Sequence, residues 1–309
     1  MSSLLNHEEF NSMWLYYALL GPPFWALIHI LDSHCVGNVF DRPWMGVITS
    51  SLATAVIALV GLFLLPCVDW LLPDWHIIAL ALLAGGLIQL GQGFYFQALE
   101  KTEAGIVAAY GNFTPTLLPL ASYFLMGDVL QPWHYITIGV LVLASICFCL
   151  IDVSRQGNCD SIVLMLTASM AQVAAILIEK YVFMHSTFLI SFMFIIMGVV
   201  LSGVLPLLVV PSVRKAFSDN LPKLKPLAPL FLGIEVANVI ALFLSQRAID
   251  LGSPTLASAM ETTVPGYTFL LTILLLYFKH RFGNEEARYK LRTKLVLVGI
   301  MTAGVMQIA

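Results

Sequence analysis

The chain has 309 residues, of which 59% are hydrophobic and only 11% are charged, and its formal net charge is −3. Soluble domains typically carry about 25% charged residues, so this composition excludes an ordinary soluble protein and predicts an integral membrane protein. The mean hydropathy of +0.90 agrees with that class. The small negative charge gives no reason to expect a nucleic-acid partner.

Ten apolar segments approach the length of about 20 residues that a helix needs to cross a bilayer. They lie at about 13–32, 46–66, 76–98, 104–126, 133–151, 161–183, 188–210, 227–249, 254–277 and 293–309. The first segment lacks the basic region and cleavage site of a signal peptide, so we interpret it as a retained span. The connections at 211–226 and 278–292 are too short to fold alone. The predicted fold class is therefore an all-α membrane protein with about ten transmembrane helices in a single membrane domain.

The basic residues are distributed unequally between the two membrane faces. Thirteen of the fifteen Lys and Arg residues lie in the connections between spans 1–2, 3–4, 5–6, 7–8 and 9–10, with Lys294 counted in the last of these. Lys180 and Arg247 lie on the other side. We call the first side the basic face and the other the opposite face. The positive-inside rule predicts a cell (inner) membrane protein with both termini outside the cytoplasm.

Two stretches, 97–120 and 247–270, share one pattern at a constant offset of 150 residues. Ala98 pairs with Ala248, and Pro115 pairs with Pro265. Such self-similarity indicates an internal duplication. Because each half holds five spans, an odd number, the second half enters the membrane in the opposite orientation. We therefore predict two inverted five-helix repeats, 1–155 and 156–309, an arrangement that many secondary transporters share.

Glu235 and Glu261 are the strongest candidate site residues because both lie inside apolar segments, where a carboxylate is costly unless it faces a partner or a wet cavity. Asn238 shares a helix face with Glu235, and Thr262 follows Glu261. Buried glutamates also serve as proton relays. The alternative is that these side chains only form interhelical hydrogen bonds that stabilise packing.

Four further residues are candidates for coupling or gating. Pro115 and Pro265 each remove a backbone donor and are predicted to break their spans at corresponding positions, a feature that points to a transporter site. Asp32 and Glu179 occupy matching positions near the ends of spans 1 and 6. The alternative for these two acids is an interfacial position, with Glu179 satisfied by a neighbour such as Lys180.

Where the second half carries acids, the first half offers aromatic and amide side chains. We include Trp25, Gln92, Tyr95, Tyr110 and Asn112 among the candidate substrate-binding residues. Aromatic rings together with carboxylates suit a cationic or zwitterionic solute, although rings at helical spacing also occur in plain packing.

The sequence gives no sign of a metal site or of catalytic machinery. His29 and Asp32 could share a helix face, but His34 points elsewhere and no second cluster completes a coordination shell. No motif of a hydrolase, a metalloprotease or a phosphate-binding loop occurs. We therefore predict no cofactor and no enzymatic activity.

These features together resemble the EamA-like branch of the drug/metabolite transporter superfamily. The likeness rests on the turns at Ala98 and Ala248, on the small-residue helices that run into Pro115 and Pro265, and on the short apolar spans that follow at 135–150 and 295–308. Two features depart from the family. Residues 126–129 stand where members commonly have a glutamate–arginine pair, and members usually place both termini in the cytoplasm.

The resemblance implies alternating-access transport of a small organic solute, often an amino acid, an amine or another metabolite, through a central cavity. Carried onto this chain, it implies a lining of Trp25, Gln92, Tyr95, Tyr110, Asn112, Glu235, Asn238, Glu261 and Thr262. The leading hypothesis is a secondary active transporter of a small polar metabolite that is cationic or zwitterionic. The alternatives are an exporter of amino acids or toxic compounds and, from another class, a non-transporting receptor or scaffold subunit.

Overall fold

The computed structural model describes residues 2–62, 72–102, 104–151, 159–277 and 291–308. All regular secondary structure in these ranges is helical, which confirms the all-α prediction. The helices are α1 (Ser2–Asn38), α2 (Trp44–Leu62), α3 (Trp75–Lys101), α4 (Ala104–Gly111), α5 (Phe113–Met126), α6 (Pro132–Leu150), α7 (Cys159–His185), α8 (Phe188–Val209), α9 (Pro211–Leu224), α10 (Ala228–Leu251), α11 (Pro254–Glu261), α12 (Val264–Tyr277) and α13 (Leu291–Ile308), with a short 3-10 helix at Lys225–Leu227 between α9 and α10.

Seven helical stretches among the described residues are long and apolar enough to cross a membrane. They correspond to predicted spans 1, 2, 3, 5, 6, 7 and 8. The other three predicted spans are α4 with α5, α11 with α12, and α13. The chain is therefore a multi-pass membrane protein.

The structure differs from the prediction in two places. Helix α1 continues to Asn38, so Asp32 lies within the helix and not at its end. The connection predicted at 211–226 contains the amphipathic helix α9, which buries Phe217 and Leu224 and leaves its charged side chains exposed. The predicted boundary between residues 155 and 156 and most of the connection at 278–292 lie outside the described residues.

The fourth and ninth spans are broken at positions that are 150 residues apart. Helix α4 ends at Gly111 and α11 ends at Glu261, while Asn112 and Thr262 form the two junctions. At both junctions the backbone N–H bonds three residues back, Asn112 to the Ala109 carbonyl and Thr262 to the Ala259 carbonyl, each at 3.2 Å. Pro115 and Pro265 lie just beyond, and each lacks the N–H that would continue the helical ladder. The two predicted breaks therefore occur at equivalent positions.

Helix packing is reciprocal between the two groups of five spans. Helix α3 packs extensively against α7 and α8, and the equivalent helix α10 packs against α1 and α2. The pairs α2 with α8, α5 with α11 and α6 with α13 join equivalent spans. Such exchange of contacts is the pattern expected of two halves related by a pseudo-two-fold axis.

Helices α3 and α8 approach so closely that their contact depends on two glycines. A Cβ atom on Gly85 would lie 1.9 Å from the Ile195 carbonyl oxygen, and one on Gly198 would lie 2.2 Å from the Leu82 carbonyl oxygen. Because the obstructing atoms are backbone, the helices themselves would have to move apart. Small residues at helix contacts are a common device in membrane bundles.

We expect Gly85→Ala to destabilise the protein by about 1–3 kcal/mol, the usual cost of overpacking. The neighbouring substitution Gly86→Ala is the matched control, since a Cβ atom at Gly86 meets nothing within 4 Å. Thermal unfolding of the two purified variants in one detergent measures the difference. Equal unfolding midpoints for the two variants would contradict the close approach of α3 and α8 at Gly85.

Candidate functional site

A cavity of about 1330 Å³ lies inside the bundle and is lined by residues of both groups of five spans. The lining residues belong to the part of each span that is nearer the basic face, and they extend to Asn38 and Leu99, near the ends of α1 and α3. Pockets for small molecules usually measure about 300–1,000 Å³. The cavity is therefore large enough for a small metabolite together with water.

The structure brings most of the predicted substrate-binding residues to this cavity. Eight of the nine line it, namely Trp25, Gln92, Tyr95, Asn112, Glu235, Asn238, Glu261 and Thr262. Tyr110 lies elsewhere, because its ring stacks on Phe113 with the centroids 5.8 Å apart.

The predicted coupling or gating residues are divided between two places. Asp32, Pro115 and Pro265 line the cavity. Glu179 lies outside the lining and nearer the opposite face, where it is buried and accepts a hydrogen bond of 2.6 Å from Gln246 Nε2. Its hydrogen-bond partner is thus an amide rather than the neighbouring Lys180, which donates to carbonyls at the end of α10.

Glu235 is held in place by two donors. Thr54 Oγ1 donates to Glu235 Oε1 at 2.6 Å, and Asn238 Nδ2 donates to the same oxygen at 2.9 Å. The residue is only 2% exposed, yet it lines the cavity. The two donors fix the side chain through Oε1, and the carboxyl group also interacts with Ser50. Asn238 thus has the position on Glu235's helix face that the sequence predicted.

Asp32 lies close enough to Glu235 for the two carboxyl groups to repel each other. A side pocket of about 20 Å³ lies between them and is also lined by Thr49, Gln92 and Asn238. Such a volume holds about one water molecule or a group of that size. Two carboxyl groups around one small space favour a shared positive group, which can be a proton or a cation.

Aromatic side chains are fixed by hydrogen bonds along the same cavity. Trp25 Nε1 donates to Ser245 Oγ at 3.1 Å, and Ser245 in turn interacts with the Glu261 carboxyl group. His29 Nδ1 and Tyr95 Oη lie 2.8 Å apart. His29 therefore pairs with a phenol, and the described residues contain no group of three or more His, Cys, Asp or Glu placed to hold a metal ion.

Lys294 is a cavity residue that the sequence analysis assigned to a connection. It is the fourth residue of α13, is 1% exposed and lines the cavity, with Nζ 5.6 Å from the centroid of the Phe269 ring. The second group of spans therefore contributes a positive charge as well as negative ones. Lys294 falls inside the predicted span 293–309, and a charged residue within a span is a candidate site residue. The sequence analysis nevertheless counted it with the basic residues of the preceding connection.

The two groups of five spans are joined at the opposite face by hydrogen bonds centred on Asp128. Gly127 ends α5 in a left-handed conformation, with φ at 68°, and Asp128 follows it. Asp128 Oδ2 accepts hydrogen bonds from Ser122 at 3.1 Å, from Ser253 at 2.8 Å and from Thr255 at 3.4 Å. The last two donors lie at the start of α11, so these bonds join the two groups of five spans.

Lys180 forms a second set of hydrogen bonds at the same face. Its Nζ donates to the carbonyl oxygens of Ile249 at 2.9 Å, Asp250 at 3.1 Å and Gly252 at 2.8 Å. A cation at the carboxyl end of a helix satisfies carbonyls that have no helical partner. Lys180 thereby ties α7 to the end of α10.

Comparison with known proteins relates the first half of the chain to a family. Residues 12–150 match the EamA-like transporter family. This segment belongs to that family, which is part of the drug/metabolite transporter superfamily. The resemblance stated from the sequence is confirmed over this segment, and it indicates a membrane transporter of the drug/metabolite type, a class that acts on small molecules.

A solved crystal structure has a similar fold over nearly the whole chain. It covers 95% of this chain and 97% of its own, with a TM-score of 0.62 and 16% sequence identity. At that identity the similarity establishes the fold alone. No curated protein matches the sequence.

We expect Thr54→Val to destabilise the protein by about 1.5–3 kcal/mol, because it removes a donor to the buried carboxyl group of Glu235. Thr167→Val is the matched control, since Thr167 is exposed and its hydroxyl donates within its own helix to the Val163 carbonyl at 2.8 Å. Thermal unfolding of both purified variants measures the effect. Equal loss of stability in both would show that Thr54 contributes nothing to holding Glu235.

Proposed function

We propose that the protein is a secondary active transporter that moves a small polar organic solute with a positively charged group by alternating access between two inverted repeats. The observation that carries the proposal is the pair Asp32 and Glu235, which are 7% and 2% exposed and line one cavity reaching towards the basic face. A positive group of the solute, or a proton, would neutralise these carboxyl groups. Competition of the two for one carboxylate would couple transport to a proton gradient.

In the described conformation, solute would reach the cavity from the basic face only. The cavity lies in the half of the bundle nearer the basic face, while the Asp128 contacts close the opposite face. The positive-inside rule places the basic face in the cytoplasm. Under this proposal the solute enters the cavity from the cytoplasm and leaves after the opposite face opens, so this conformation accounts for export as readily as for exchange.

The transport test begins with thermal-shift screening of the purified protein against a metabolite library at two pH values, because ligands stabilise the state they bind. Stabilising compounds are then tested for uptake into proteoliposomes. We expect Glu235→Gln and Glu261→Gln to lower uptake about tenfold or more, the effect of losing one charge-assisted interaction. Both glutamines keep the shape of the side chain and remove its charge.

The matched control is Asp160→Asn, which removes an exposed carboxylate that pairs with Lys101 outside the cavity. Its uptake should stay within about twofold of the unmodified protein, since exposed ion pairs contribute about 0–1 kcal/mol. If stabilising solutes bind but none crosses the membrane under any gradient, the protein is a receptor or scaffold and the proposal fails.

Closure of the opposite face can be tested with a reversible cross-link. Asp128 Oδ2 and Ser253 Oγ are 2.8 Å apart, so cysteines at both positions should form a disulfide in this conformation. In a background without the native cysteines, we expect oxidation of Asp128→Cys/Ser253→Cys to stop uptake and to leave ligand binding intact. Reduction should restore uptake.

Each single-cysteine variant controls for oxidation that is unrelated to the cross-link. If the oxidised double variant transports at the same rate as the reduced one, the two groups of spans need not separate at Asp128. That result would exclude this contact as a gate.

A further inference from the structure

The connection between α8 and α10 is longer than the bundle needs to join two neighbouring spans. At the opposite face only Ser186 and Thr187 separate α7 from α8, whereas at the basic face residues 210–227 separate α8 from α10 and include α9. Since α8 and α10 both cross the membrane, the two ends of α9 stay at the basic face. Helix α9 is therefore a surface element, and its side chains are available to a partner at the edge of the membrane.

One face of α9 is fixed to the bundle. Phe217 and Leu224 are seven residues apart, so they share a face of the helix, and both are buried in a cluster with residues of α1, α2 and α10. Lys223 Nζ donates to Asp41 Oδ1, in the connection after α1, at 2.6 Å. These contacts set the rotation of α9 about its axis. The flank that carries Lys223 faces the first group of spans, so the other flank faces outwards.

The outer flank of α9 carries Arg214 and Leu221, which are also seven residues apart and lie across the buried face from Lys223. Leu221 is 47% exposed. At the end of α8, next to the start of α9, Leu208 and Val209 are 68% and 65% exposed, as expected for side chains that face lipid. Acyl chains can cover this apolar surface while a basic side chain beside it reaches the level of the headgroups. The outer flank thus has the mixed character of a membrane interface.

The charge on this segment is strongly positive. Residues 211–225 contain four basic residues, Arg214, Lys215, Lys223 and Lys225, and Asp219 as the one acid. Lys223 forms the ion pair described above. The other three basic side chains are exposed and have no ion-pair partner in the part of the chain that the structure describes. Unpaired cations at a membrane surface attract the headgroups of anionic lipids.

We propose that Arg214, Lys215 and Lys225 form a docking surface for anionic phospholipids of the leaflet at the basic face. The phosphate headgroups lie against the basic side chains, and acyl chains cover Leu221 and the exposed end of α8. Basic amphipathic helices bind membrane surfaces through this combination of apolar contact and attraction to anionic lipid. An acidic soluble protein would match the charges but would leave the apolar flank uncovered. The surface is separate from the cavity, and the inference does not depend on which solute is transported.

The test measures lipid binding to the purified full chain in a neutral detergent. Unfolding midpoints are recorded while phosphatidylglycerol, or phosphatidylcholine with the same acyl chains, is added, and apparent dissociation constants follow from the stabilisation. We expect phosphatidylglycerol to bind about tenfold or more tightly, since each basic residue near an anionic surface contributes about fivefold in affinity. The preference should disappear at about 1 M NaCl, where the Debye length is about 3 Å.

A soluble headgroup distinguishes a lipid from a free anion. Glycerol phosphate carries the same phosphate chemistry without acyl chains, so at the concentrations used for the lipids it should leave the unfolding midpoint unchanged. If it stabilises the protein as much as phosphatidylglycerol does, the surface binds soluble anions and the lipid proposal is overturned.

Removal of charge from α9 should reduce the preference for anionic lipid. Arg214→Gln/Lys215→Gln should weaken the binding of phosphatidylglycerol about tenfold or more and leave that of phosphatidylcholine within about twofold. Lys101→Gln/Arg292→Gln is the matched control, because it removes two exposed positive charges from the same face outside α9. This control should keep both dissociation constants within about twofold.

Two further results would exclude the docking surface. One is equal affinity of the unmodified protein for the two lipids. The other is an equal loss in the double variant and its control, which would assign the effect to the net charge of the basic face. If Arg214→Gln/Lys215→Gln does not fold, Lys225→Gln decides, and we expect it to bind phosphatidylglycerol about fivefold more weakly. Uptake plays no part in these measurements, so this inference and the proposed function can fail separately.

Discussion

Pro115 and Pro265 each withhold a backbone donor from the helix before them, in a part of the bundle where lipid cannot supply a replacement. The missing N–H groups would have bonded the carbonyls of Gly111 and Glu261, and both of these residues line the cavity. At the junctions themselves, Asn112 Nδ2 donates to the Ala109 carbonyl at 3.2 Å and Thr262 Oγ1 donates to the Ala259 carbonyl at 2.7 Å. Asn112 and Thr262 also line the cavity. Non-helical backbone at membrane depth is tolerated only where protein or water surrounds it. The cavity and the two breaks therefore depend on each other.

The same constraint explains which parts of the site the sequence could predict. A proline inside an apolar span and its copy 150 residues later are local features, and both breaks occur where they were predicted. The glutamates inside apolar segments were found for the same reason, because an acid in hydrocarbon requires an explanation wherever it points. Glu235 and Glu261 both line the cavity.

What could not be predicted depends on rotation about helix axes and on the ends of helices. Tyr110 lies two residues before Asn112, but its ring stacks on Phe113 and packs against a cluster that contains Ala98 and Met165, so it does not line the cavity. Lys294 follows a run of basic residues, so composition alone placed it with the connection, although the helix begins at Leu291. Helix α9 was predicted as a loop because its polar residues lower its hydropathy, and only its amphipathic pattern distinguishes it from one.

The contacts at the opposite face differ in what they join, and this difference indicates which of them must break during transport. Lys180 lies on α7 and the carbonyls it caps lie at the end of α10, in the same group of five spans. Asp128 and Ser253 lie in different groups. If the two groups rock against each other, as the proposed mechanism requires, Lys180 moves together with its partners and the Asp128 bonds are lost.

At the basic face, two ion pairs also join the groups, Lys101 with Asp160 at 3.0 Å and Lys223 with Asp41 at 2.6 Å. Their side chains are about half exposed, so each pair contributes about 0–1 kcal/mol and does little to fix the conformation. The partly buried hydrogen bonds of Asp128, with three donors on one carboxylate oxygen, are the stronger contact. Under the proposed mechanism, the Asp128 bonds are therefore the strongest of these polar contacts that must break when the opposite face opens.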